Sequence, residues 1–133
     1  MAKFSLRKIN KDLTPLRDLF SEGELVALSK HGTIIDIAPG QILMEEGTTG
    51  SEVAIVVAGQ AKITQDDEFV ANAEVGDFLG EQAVLANKLR AFSVCAVTIL
   101  KLSALSIEAF AKILTESDDF RRRLDQQVQG RAA

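Results

Sequence analysis

The sequence predicts a mainly β domain, a roll or barrel of short strands with helices at both ends. Three observations carry this. Between residues 32 and 105 the apolar segments are short and broken by turn residues: Pro39 and Gly40, Gly59, Asp66 and Asp67, Gly76 and Asp77. Both flanks instead show helix-start signals and apolar residues three and four apart. The chain has 133 residues, 47% apolar and 26% charged, the size and usage of one globular domain that buries a core without staples.

Residues 1–11 are basic and weakly patterned, with Lys3, Arg7, Lys8 and Lys11, and read as a frayed arm or a short helix with a solvated basic face. Thr14 before Pro15 reads as an N-cap followed by a first helical residue, with Leu16 and Phe20 on one face. Ser21 and Glu24 have capping-box spacing, and their helix carries Leu25, Val26 and Leu28 to an end at His31 and Gly32. The period then changes. Strands are expected over 33–37, 42–44, 52–58, 61–64, 69–73, 92–97 and 99–105, with a hairpin turn at Asp66 and Asp67. The end is helical again: Ser106 caps, and Ile107, Phe110, Ala111 and Leu114 fall at i, i+3, i+4, i+7. A last helix is expected over about 117–129. The organisation is one domain over 1–133: an arm and helices over 1–31, the roll over 32–105, and C-terminal helices over 106–133. Met1 favours a natural start and the stop at Ala133 is read as leaving no room for an appended helix-turn-helix, while a free-standing regulator and a piece of a larger protein both stay open.

Several function classes recede. A net charge of −4 argues against a nucleic-acid binder. No apolar run reaches the roughly 18 residues of a membrane helix, and no apolar stretch follows the basic N-terminus as in a secretory signal, so the cytoplasm is the expected compartment. The lone Cys95 cannot form an internal disulfide and reads as a buried thiol. The single histidine, His31, reads as a helix C-terminal residue, so no metal site and no hydrolytic triad is expected. Arg121, Arg122 and Arg123 have acids on both sides and read as a solvated helix face. Phe120 and Leu124 form a stripe that faces either the core or a second copy.

One segment interrupts the strands. Residues 81–86 (EQAVLA) have helical composition inside a β region. A helix start there presents unpaired backbone N–H groups, an anion site, and Gly80 before it has no side chain to block approach. Glu81 alone would repel an anion, but a carboxylate accepts from a sugar hydroxyl. The Arg90 guanidinium supplies the positive charge in a shape suited to phosphate. The chemistry asks for a phosphate beside a hydroxyl. A plainer role is also open, in which Glu81 caps its own helix and Arg90 is a surface cation.

The segment resembles the phosphate-binding cassette of the cyclic nucleotide-binding domain family. Phe78, Gly80, Glu81, Ala83, Val84, Leu85, Arg90 and Ala91 stand at the family's spacing. Gly47 to Gly59 reproduces a glycine interval, Ser93, Val94 and Ala96 match the following strand, and Leu105, Ser106 and Phe110 match the entry to the C-terminal helices. The likeness covers about residues 13–125, with the cassette at 78–91. It implies a double-stranded β-helix, or jelly-roll, flanked by helices. It also implies that Glu81 accepts the ribose 2′-hydroxyl and that Arg90 pairs with an exocyclic phosphate oxygen. Backbone groups of Gly80, Gln82, Ala83 and Ala91 would complete the cradle. Ala91 leans toward cyclic AMP over cyclic GMP. The chain departs from the family at Ser51, Ala54, Asn87, Leu89 and Phe92, the last standing where a small residue is usual. The resemblance thus implies a non-catalytic sensor with a cyclic nucleotide as ligand and no cofactor; with the charge and hydropathy, no nucleic acid and no membrane are expected, and a homodimer or an unidentified effector protein stays open as partner. The alternative is a fold that has lost its ligand and serves dimerisation or docking, marked by Phe92 or another side chain filling the space beside Arg90.

Overall fold

The computed structural model describes residues 9–132, with side chains to residue 127. The basic arm at Lys3, Arg7 and Lys8 lies outside the described residues. The chain runs from a 3-10 helix (Lys11–Leu16) and α1 (Glu22–His31) into eight strands. These are β1 (Thr33–Ile37), β2 (Ile42–Met44), β3 (Glu52–Ala58), β4 (Ala61–Gln65), β5 (Glu68–Ala73), β6 (Phe78–Leu79), β7 (Ser93–Ala96) and β8 (Leu100–Ser106). Helix α2 (Glu81–Ala86) interrupts them, and α3 (Ile107–Glu116) and α4 (Asp118–Ala132) follow.

All strand pairs are antiparallel. They form two four-stranded sheets, ordered β1-β8-β3-β6 and β2-β7-β4-β5. β3 shows how the roll divides its apolar residues. Ala54 and Val56 face the interior between the sheets, with Leu79, Val94 and Leu102. Val53, Ile55 and Val57 face the helices, with Leu28, Phe110 and Phe120. Both faces are covered, so β3 reads as an unbroken apolar run, whereas β4 alternates. The hairpin turn stands as expected: Asp66 and Asp67 both have positive φ, the requirement of a tight hairpin turn matched to strand twist.

Four local expectations give way to packing. Thr14 does not cap a helix at Pro15. Asn10 caps, its Oδ1 accepting from the Asp12 N–H at 2.9 Å, and Pro15 lies inside a 3-10 helix. Proline has no N–H to bond the Lys11 carbonyl, and the Thr14 hydroxyl donates to that carbonyl instead. The three-residue turn stacks Leu13 on Leu16, both fully buried. In α3, Ile107 and Ala111 face outward while Phe110 and Ile113 are buried, because the helix turns Phe110 toward Phe120 of α4. Cys95 is only half-buried: Val94 and Ala96 take the interior positions of β7, so the residue between them points outward. Phe120 and Leu124 face the core, and Arg123, expected on a solvated face, lies on that same side of α4.

At the end of α1, Gly32 is required by space rather than by handedness. Its backbone is extended, and a Cβ there would meet Ser103 Oγ at 2.6 Å and the Leu28 carbonyl at 2.9 Å. The capping box at Ser21 and Glu24 is present in both directions. The His31 ring nitrogen Nε2 lies 3.1 Å from both Glu116 carboxylate oxygens, joining α1 to the end of α3.

Candidate functional site

The edge strand β6 delivers the chain into a left-handed Gly80, with φ +82°, which starts α2. Glycine is needed there twice over. A side chain at that φ is strained, and a Cβ would overlap the Arg90 guanidinium and sit 3.0 Å from the Met44 methyl. Helix α2 closes at Asn87, also left-handed, with its N–H reaching back to Val84 and Ala83. Asparagine tolerates that conformation, so the missing family glycine leaves the turn intact.

The next loop brings Arg90 back against the start of α2. Its backbone is clamped by the 47–50 loop: its N–H donates to the Thr48 carbonyl and its carbonyl accepts from the Gly47 N–H, both at 2.8 Å. Its side chain points inward. Nη1 donates to the Gly80 carbonyl at 3.3 Å and Nη2 to the Glu52 carbonyl at 2.9 Å. Two of the five guanidinium donors are thereby engaged in orientation. Gly50 lets this loop lie against α2, since a Cβ on it would come within 2.7 Å of the Ala83 methyl.

Glu81 is fully buried and Arg90 is 9% exposed. Burial pushes the Arg90 guanidinium below its ordinary range, while the charges of Glu52 and Glu81 pull it back up, and it stays a cation. Both residues line a cavity of about 570 Å³. Its floor is apolar, from Met44, Ile63, Leu79 and Val94, and its polar groups gather where α2 begins. Such an apolar chamber with a few convergent polar groups, within the roughly 300–1,000 Å³ of small-molecule sites, is suited to an organic ligand carrying one charged end.

All six residues singled out in the sequence line this one cavity: Gly80, Glu81, Gln82, Ala83, Arg90 and Ala91. Ala83 is buried, Gln82 half-buried and Ala91 exposed at the rim. Phe92 forms part of the wall, packed with the roll interior, and does not fill the space beside Arg90. Sequence reasoning missed Thr48, Gly50 and Glu52, which hold Arg90 through backbone groups or by making room. The glycine cluster at 47–50 was the available signal. Among the described residues no group of three or more His, Cys, Asp and Glu side chains could hold a metal ion, and no helix is long and apolar enough to cross a membrane.

The fold and cassette define a cyclic-nucleotide roll, and the family model described as "Cyclic nucleotide-binding domain" matches residues 34–117. The chain belongs to that family. It is 34% identical over 86 residues to the cAMP-dependent protein kinase regulatory subunit of Hypocrea atroviridis, covering 65% of this chain and 19% of that protein. It is 33% identical over 106 residues to the human voltage-gated delayed rectifier potassium channel KCNH1, covering 74% of this chain and 11% of the channel. The chain thus spans about a fifth or less of these relatives. The Catabolite Activator Protein of Thermus thermophilus shares the fold, with a TM-score of 0.77 at 20% identity over 88% of this chain and 57% of that one. So does a structure described as Sp-2Cl-cAMPS bound to PKAR CBD2, with a TM-score of 0.72 at 23% identity over 97% of this chain and 89% of that one.

Proposed function

We propose that this chain is a non-catalytic cytoplasmic sensor domain that binds a cyclic nucleotide, cyclic AMP in preference to cyclic GMP. It signals through its C-terminal helices over 106–133. The observation that carries this is the open cavity in which Glu81 and Arg90 stand together at the start of α2. A cyclic nucleotide offers what that pair asks for: one phosphate charge for Arg90 and a ribose hydroxyl for Glu81. Main-chain groups of Gly80, Gln82, Ala83 and Ala91 complete the cradle, and the purine occupies the apolar chamber. No cofactor takes part. The domain 1–133 acts as one unit, with 78–91 as its ligand cassette.

The cyclic AMP-bound state of a protein kinase regulatory fragment appears among structures of the same fold. That supports the ligand class. The alternative, a fold emptied of its ligand, asked for Phe92 in the space beside Arg90, and Phe92 lies in the wall instead. The test is titration calorimetry with cyclic AMP and cyclic GMP: no heat from either at high micromolar ligand rejects the sensor reading.

The leaning toward cyclic AMP rests on the resemblance at Ala91, whose side chain carries no acceptor for the exocyclic amine of guanine. Ala91→Ser adds one. The substitution is expected to raise cyclic GMP affinity by roughly threefold to tenfold, the worth of one hydrogen bond, and to leave cyclic AMP affinity nearly unchanged. Competition binding with both nucleotides checks it.

A further inference from the structure

Helix α4 grips the first residue of the cassette by both its ring and its backbone. The Phe78 and Phe120 rings lie 5.1 Å apart between centroids. The Phe78 N–H donates to Gln127 Oε1 at 2.9 Å, and Gln127 Nε2 donates to the Phe78 carbonyl at 3.2 Å. A carboxamide can make both bonds at once because it carries an acceptor and a donor in one plane, and the pair fixes which end is oxygen.

The backbone explains why Phe78 offers both groups to a helix. β6 is the edge of its sheet, paired on one side with β3. In an antiparallel pair, alternate residues direct both main-chain groups away from the partner strand. Phe78 does so, while the neighbouring Asp77 carbonyl accepts from the Val56 N–H of β3. Gln127 therefore stands where the peptide of a further strand would stand and covers the open edge. It lies seven residues after Phe120 and three after Leu124, on the buried face of α4.

Gly80 follows Phe78 by two residues, and its carbonyl receives Arg90. Gln127 itself does not line the cavity. We propose that Gln127 is a positioning residue for the nucleotide site. It fixes the Phe78 backbone so that Gly80 and Glu81 keep their place against Arg90. Ligand held at the cassette in turn steadies the grip of α4, because coupling of two equilibria is reciprocal. The role rests on reading the cavity as a cyclic-nucleotide site.

The test compares wild type with Q127L, which keeps size and removes both hydrogen bonds, and with Q126L on the exposed neighbouring position as control. Cyclic AMP affinity is measured by calorimetry well below the melting temperature, and amide exchange is followed at Phe78 and across 118–127. Q127L is expected to bind roughly threefold to tenfold more weakly and to exchange the Phe78 amide faster by a similar factor. Q126L is expected to behave as wild type. Bound cyclic AMP is expected to slow exchange across 118–127 in wild type and to do so less in Q127L. A purely structural role would lower the melting temperature and leave affinity alone. Q127L binding as tightly as wild type therefore overturns the assignment. Wild type binding neither cyclic nucleotide removes the sensor reading itself, which is a different result.

Discussion

Arg90→Ala is expected to weaken cyclic-nucleotide binding by roughly two to three orders of magnitude, the range for truncating one member of a buried, hydrogen-bonded charge pair. Three effects act in one direction. The ligand phosphate loses its cation. Glu81, fully buried, loses a nearby opposing charge, so an incoming anion meets more of the carboxylate's repulsion. The Gly80 and Glu52 carbonyls also lose the guanidinium that ties α2 to β3. Arg90→Lys separates these effects. It restores the charge but not the fork that reaches two carbonyls, so it is expected to recover only part of the affinity. Calorimetry on both variants decides the matter, with a thermal melt to show that each still folds. Unchanged affinity in Arg90→Ala removes Arg90 from the site.

The cassette was legible because its parts are close in sequence. Gly80, Glu81 and Arg90 fall within eleven residues, and a helix start, a small residue and a guanidinium are local signals. The turn at Asp66 and Asp67, the capping box at Ser21 and Glu24, and the alternation of β4 were readable for the same reason. What escaped was set by contacts across the chain. Nothing near Glu52 says that its carbonyl will receive Arg90, 38 residues on. The Thr14 and Pro15 signal was real, yet the burial of Leu13 on Leu16 selected a tighter turn that runs through the proline. The arginine run at 121–123 is flanked by acids, so composition placed it in water. Helical spacing from Phe120 puts Arg123 and Gln127 on the core side, and that periodicity was the signal overlooked.

Arg123 supports the second large expected effect, on stability. Glu24 is fully buried and does two tasks with one carboxylate. Its Oε1 accepts from the Ser21 N–H at 2.8 Å, completing the capping box of α1. Both oxygens also accept from Arg123, whose Nε and Nη2 approach at 2.7 and 2.8 Å from 99 residues away. The same guanidinium lies 3.9 Å over the Phe20 ring and donates to the Leu19 carbonyl. One ion pair thus ties the first turn of α1 to α4. Arg123→Met leaves a buried carboxylate without its cation, and breaking such pairs costs about 3–5 kcal/mol when both partners are buried. Arg123 keeps 30% of its side chain in water, so the expected loss is nearer 2–3 kcal/mol, the lower end of that range and below. Glu24→Leu loses the cap in addition and strands the guanidinium. The double variant Glu24→Leu, Arg123→Met removes both charges and is expected to be more stable than the sum of the single losses by about 1–3 kcal/mol. Urea unfolding at neutral pH measures the cycle. Strict additivity would mean that the pair contributes nothing as a pair, and the hold on α4 would then rest on its other contacts, Phe120, Leu124 and Gln127 among them.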